Sequence, residues 1–182
     1  MNNSFFSRSA DIVAKELLGK KLIRIIDKKK YISKIVETEA YFGENDPASR
    51  AGKGKNKISE MMWESPGKIM LYNVHKYLML NFVTGKKDIP EAVLIRALEP
   101  LNHNLRTTGP GLLTSSLKIS KSFHGKNILE NKGLFLENKK ENFEISSSFR
   151  IGVTKDLEIP LRFYIKDNAF VSHSANRKQY KP

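Results

Sequence analysis

Residues 35–43 read IVETEAYFG, an apolar run that ends on two carboxylates and a tyrosine. Side chains alternate across a strand, so Glu37, Glu39 and Tyr41 share one face while Thr38 and Ala40 take the other. A carboxylate beside a cation and an aromatic ring suits general-base work on a water molecule. The same grouping also serves as a structural ion pair, and alternation does not rank Glu37 against Glu39. Polar residues break other apolar runs: Arg96 in AVLIRAL, Asn81 in LMLNFV and Tyr72 in IMLYNV. An inward Arg96 requires an acid or a phosphate, because an unpaired buried charge is costly, whereas an outward one requires nothing. Asn81 serves equally well to hydrogen-bond a neighbouring strand. Pattern alone does not show that these residues converge.

Other chemistries have less support. The histidines, His75, His103, His124 and His173, lack the spacing of a metal site, and there is no cysteine for a thiolate ligand or disulfide. Neither RAGKGKNK nor GPGLL matches a phosphate-binding glycine fingerprint. Ser115 and Ser116 lack the context of an activated nucleophile. No lysine stands in an apolar setting of the kind that a Schiff-base nucleophile needs.

The elements that must position these residues read as follows. Ser9 is placed to cap a helix over ADIVAKELL, with Ala10, Val13, Ala14 and Leu17 on one side and Gly19 at its end. KLIRII (21–26) and YISKIVETE (31–39) flank a charged turn and predict a hairpin. Residues 42–68 show no clear period and are too long for an idle connection, which predicts a functional loop with one short helix. IMLYNV (69–74), YLMLNFVT (77–84) and AVLIRAL (92–98) read as strands, and Gly109-Pro110 opens a short helix. GLFLEN, SFRIGVT, PLRFYI and AFVS read as short strands, and residues 171–182 as a polar tail. Many strands with few helices predict one α+β domain, residues 1–182, around a curved, mostly antiparallel sheet with a few short helices.

The chain of 182 residues carries a net charge of +13, with 32 lysines and arginines against 19 acids. That excess favours a polyanionic partner, nucleic acid before an acidic membrane surface, since there is no long basic amphipathic helix. No run approaches the roughly 20 apolar residues of a membrane span. The N-terminus has no apolar core of a secretory signal, so a cytoplasmic location is expected.

Taken in order, IVETEAYFG (35–43), DPAS (46–49), PGKIMLY (66–72), LNFVT (80–84), VLIRALEP (93–100), TGPGLL (108–113), RIGV (150–153) and PLRFYI (160–165) resemble the alkyladenine type of 3-methyladenine DNA glycosylase. ETEAY and RALEP are specific to that family, and the matching segments span most of the chain. The resemblance implies a monofunctional enzyme that binds duplex DNA, flips an alkylated or deaminated purine into a pocket, and hydrolyses its N-glycosidic bond. It implies no metal and no organic cofactor. Residue by residue it makes Glu39 the base that activates water and Arg96 the residue that holds water and carboxylate. Tyr41 and Tyr72 become the aromatic walls of the base pocket. Asn81 crowds the 2-amino group of guanine, and the backbone carbonyl of Ile151 orients the water. Glu37 is left a structural role beside a neighbouring cation.

Three positions depart from the family pattern. Arg50 stands where the family has a histidine that meets the base. His75 stands where a tyrosine wedges into the DNA, with Tyr77 as the other choice. Leu112 replaces a lysine that contacts phosphate. The segment 101–108 is also short, which implies a reduced helix. A monomer is expected of a protein that grips duplex DNA along one face. The competing reading is a catalytically silent DNA- or RNA-binding protein on the same scaffold, which would have no need of Glu39 with Arg96.

Overall fold

The computed structural model describes residues 2–139 and 141–172. Two short helices, α1 (Asn3–Phe6) and α2 (Ala10–Leu17), precede strands β1 (Lys21–Ile26) and β2 (Lys29–Tyr41). Strands β3 (Ile69–Val74), β4 (Tyr77–Thr84) and β5 (Glu91–Pro100) lead to helix α3 (Pro110–Ser116). Three short strands follow: β6 (Leu134–Glu137), β7 (Ile145–Ser148) and β8 (Arg162–Ile165). Every strand pair is antiparallel. The path β3-β4-β5-β2-β1-β6 carries a branch, because β8 pairs with β2 at Glu37–Glu39 and with β7 on its other edge. This is the expected single α+β domain with a curled sheet and few helices.

The β1–β2 turn is tighter than DKKK implied. Only Asp27 and Lys28 lie outside the strands, both at positive φ (49° and 64°). Two consecutive residues in that region form the two-residue hairpin turn whose twist matches its strands. Strand β2 runs on to Tyr41 and carries the site. Its register against β5 shifts twice: Ile35 faces Leu98, Glu37 faces Ala97 and Thr38 faces Ile95. Val36 is therefore an extra residue on β2, and Arg96 an extra residue on β5. The paired bulges restore the register beyond them and leave Arg96 outside the regular ladder beside Glu37.

Helix α2 buries Ala10, Val13, Ala14 and Leu17 against the sheet, and Thr38 donates to the Ala14 carbonyl at 2.9 Å. The expected Ser9 side-chain cap is absent: its hydroxyl bonds Asp11 instead, at 2.7 Å. The free N–H of Ala10 is met by Glu91 of β5 at 2.7 Å, which places a carboxylate on the positive end of the helix. Phe6 packs edge-on against Phe82, with ring centroids 5.9 Å apart. Burying such a ring contributes about 2–3 kcal/mol.

Further differences from expectation are local. Residues 42–68 contain two short 3-10 turns, Arg50–Lys53 and Glu60–Trp63, in place of one helix. Asp46 organises the first half by accepting the N–H groups of Phe42 and Ala48, each at 3.0 Å. The strand read in SFRIGVT stops at Ser148, because Arg150 turns into the core. AFVS forms a turn, with the Asn168 side chain accepting the Phe170 N–H at 2.9 Å. Of the expected polar tail, Ser172 is buried and bonded to Glu37, and residues 173–182, His173 among them, lie outside the described residues. No helix among the described residues is long and apolar enough to cross a membrane.

Candidate active site

The last turn of β2 meets the β5 bulge at a fully buried carboxylate pair. Glu37 and Glu39 are both at 0% exposure, with Arg96 between them at 2%. Arg96 splits its guanidinium: Nε donates to Glu37 at 2.8 Å and Nη1 lies 3.1 Å from Glu39 Oε2. Burial works against the Arg96 charge, yet the two carboxylates outweigh it and raise its pKa further. Arg96 is a permanent cation here.

The two carboxylates have different company. Glu37 accepts from Arg162 Nε at 2.6 Å, from the Ser172 N–H at 2.7 Å and from the Ser172 hydroxyl at 2.9 Å, besides Arg96. Burial alone would raise its pKa, but Arg96 and Arg162 hold it below the usual glutamate value. Glu39 accepts the Tyr41 hydroxyl at 2.8 Å and the Ile151 N–H at 2.7 Å. Those two bonds fill about half of its roughly four acceptor sites, and Arg96 adds an ion pair without a third hydrogen bond. Burial first, and Glu39 second, push the Tyr41 pKa well up, so Tyr41 remains a donor.

Tyr41, Arg96 and Ile151 all line a cleft of about 900 Å³, and Glu39 sits directly behind them. Tyr72 and Arg50 form part of the same wall, with the Arg50 guanidinium carbon 4.7 Å from the Tyr72 ring centroid. Burial raises the Tyr72 pKa, opposed by Arg50. Asn81 stands back from the main cleft. It is 2% exposed, donates to the Met79 carbonyl at 3.1 Å, and borders a recess of about 10 Å³ shared with Tyr41 and Tyr72. His75 is exposed at the tip of the β3–β4 turn, at φ 50°, on the cleft rim. Tyr77 lines the same cleft but packs closely on α3: a Cβ on Gly111 would lie 2.6 Å from its Cγ.

The match of this chain to a family model spans residues 4–169, and the model describes methylpurine-DNA glycosylase. The chain belongs to the methylpurine-DNA glycosylase family. It is 39% identical over 176 residues to a protein of Aeropyrum pernix, covering 93% of this chain and 91% of that one. It is 41% identical over 185 residues to one of Borreliella burgdorferi, with 94% and 99% covered. A Clostridium novyi protein is 36% identical over 199 residues, with 94% and 98% covered. All three relatives bear the name "Putative 3-methyladenine DNA glycosylase". Family membership makes the protein an enzyme of DNA repair that hydrolyses N-glycosyl bonds of alkylated purines.

The sequence did not single out Arg162 and Ser172 beside Glu37, nor a further support of the candidate site. Arg150, fully buried, donates to both oxygens of Asp46 at 2.7 Å, to the Ala40 carbonyl at 2.9 Å and to Asp156. Its guanidinium carbon lies 4.6 Å from the Tyr41 ring centroid, so it supports the ring that bonds Glu39. Arg150 and Asp46 stood in the matched segments RIGV and DPAS, but nothing local marks a pair 104 residues apart. Among the described residues no cluster of three or more histidines and acids could hold a metal ion.

Proposed function

We propose that the protein excises alkylated purines, 3-methyladenine foremost, from duplex DNA as a monomer, using Glu39 to activate the attacking water. The observation that carries this reading is the state of Glu39. Its side chain is buried behind the cleft, bonded by Tyr41 and the Ile151 N–H and paired with Arg96, three groups that themselves form the cleft wall, with acceptor capacity left for water. Glu37 has no such spare capacity, since four donors from Arg96, Arg162 and Ser172 occupy it.

The damaged base leaves the helix and enters the cleft against Tyr41 and Tyr72. An alkylated, cationic purine is both cheaper to unstack and attracted to the aromatic faces, by about 0.5–2 kcal/mol. As the C1′–N bond breaks, its electron pair goes to the base and neutralises the cation. Positive charge grows on the sugar, and the Glu39 carboxylate stabilises it. Water, held by Glu39 and the Ile151 carbonyl, forms the new C1′–O bond and passes a proton to Glu39. Arg96 holds the carboxylate in place throughout. Asn81 stands at the recess where a guanine 2-amino group would have to fit. His75 enters the gap left in the duplex, and the basic surface grips the phosphates.

Incubation with alkylated duplex DNA tests this. Free 3-methyladenine and an abasic site are the expected products. Equal binding of damaged and undamaged duplex with no abasic product would instead establish a binding protein on this scaffold.

A further inference from the structure

Glu37 is the most heavily bonded side chain next to the proposed base, and the mechanism above gives it nothing to do. Arginine tends to present two parallel N–H groups to one carboxylate. Here it does not: Arg96 gives Nε to Glu37 at 2.8 Å, and Nη1 meets Glu39 at 3.1 Å. The second anchor on Glu37 is Arg162, whose Nε lies 2.6 Å from the same oxygen and whose Nη1 and Nη2 donate to Ser148 and to the Ser172 carbonyl. Ser172 closes the arrangement by donating its N–H to the other Glu37 oxygen at 2.7 Å. Glu37 thus joins β2, β5, β8 and the segment at Ser172 at one buried point.

We infer that Glu37 is a positioning residue, which draws Arg96 away from a two-pronged grip on Glu39 and so keeps Glu39 free to take a proton from water. The inference rests on the proposed role of Glu39. Without Glu37, Arg96 has one carboxylate within reach and closes on it with both prongs. That would occupy the acceptor site meant for water and bind the Glu39 charge more tightly. Charge follows geometry. The groups facing this point are Glu37, Glu39 and Tyr41 on β2, Arg96 on β5 and Arg162 on β8. Tyr72 on β3, Arg50 on the cleft wall and Arg150 beneath Tyr41 complete the set. Removing Glu37 leaves two arginines beside one carboxylate, while removing Arg162 leaves Arg96 as the one arginine on Glu37, beside the Ser172 donors.

The two removals therefore act in opposite directions on the acid limb of the pH profile for 3-methyladenine release. In single-turnover assays on full-length protein, Glu37→Gln is expected to move that limb to lower pH by about one unit and to lower the plateau rate about tenfold, with little change in KM. Arg162→Met is expected to move the limb to higher pH. A purely structural Glu37 would lower rates without moving either limb. Thermal melts identify which variants fold, and either one alone decides the matter. Unmoved limbs in folded variants, or failure of both variants to fold, would overturn the inference. If wild type releases no base, the proposed function falls and this inference with it; if wild type is active and the limbs stay fixed, only this inference falls.

Discussion

Arg50 rests its guanidinium on Tyr72, 4.7 Å from the ring centroid, in the wall of a cleft whose lining contains no aspartate or glutamate among the described residues. A cationic base seeking the Tyr72 face meets a fixed cation that a neutral base would tolerate, since guanidinium also stacks on neutral rings. Arg50→Ala should therefore raise kcat/KM for 7-methylguanine relative to neutral hypoxanthine by about 2- to 30-fold, the equivalent of 0.5–2 kcal/mol. Parallel release assays on the two lesions measure that ratio. An unchanged ratio would mean that Arg50 swings clear of the base.

Arg150 carries a structural load of its own. Asp46 is fully buried and Asp156 nearly so, and Arg150 is the cation that pairs with both. Arg150→Met leaves two buried carboxylates facing each other, at a cost of about 3–5 kcal/mol, which lowers Tm by about 10 °C. Calorimetry reads this directly. A variant melting within a degree or two of wild type would show that water reaches the site.

His75 and Tyr77 compete for one role, and their settings differ. His75 is exposed at the turn, whereas Tyr77 lies on Gly111. His75→Ala should slow release from duplex about tenfold while leaving single-stranded substrate little affected, because the wedge acts only where a stack must be opened. Tyr77→Ala should lower thermal stability. If instead Tyr77→Ala alone loses the preference for duplex, the assignments are reversed.

Acid stability follows from Glu37. Its folded-state pKa lies below the ordinary glutamate value of 4.5, through Arg96 and Arg162 acting against burial. The unfolded chain therefore takes up this proton first as pH falls. The stabilisation is fully present above the unfolded value and is lost as pH drops through the lower folded value. Urea midpoints measured from about pH 6 down to about pH 3 should fall less steeply in Glu37→Gln than in wild type. Parallel curves would place the acid sensitivity elsewhere.

Much of this could be read from the chain because it is local. Helix α2 follows its hydrophobic period, the β3–β4 pair and β5 stand out as apolar runs, and alternation put Glu37, Glu39 and Tyr41 on one face as found. Alternation did not rank the two acids; the family resemblance did, and the partners that set them apart come from β8, residue 151 and Ser172. The paired bulges at Val36 and Arg96 were invisible because a bulge has no period. The Arg150–Asp46 pair spans 104 residues, and Ser172 reaches Glu37 across 135. Ser9 looked like a helix cap by type, but a glutamate from a distant strand took that place.

The central claim is that Glu39, and not its neighbour Glu37, activates the water. Single-turnover release of 3-methyladenine from alkylated duplex by wild type and Glu39→Gln tests it most directly, with binding to the same DNA measured alongside. The account predicts a loss of about 100-fold or more in release with binding retained. Release by Glu39→Gln at the wild-type rate would contradict it.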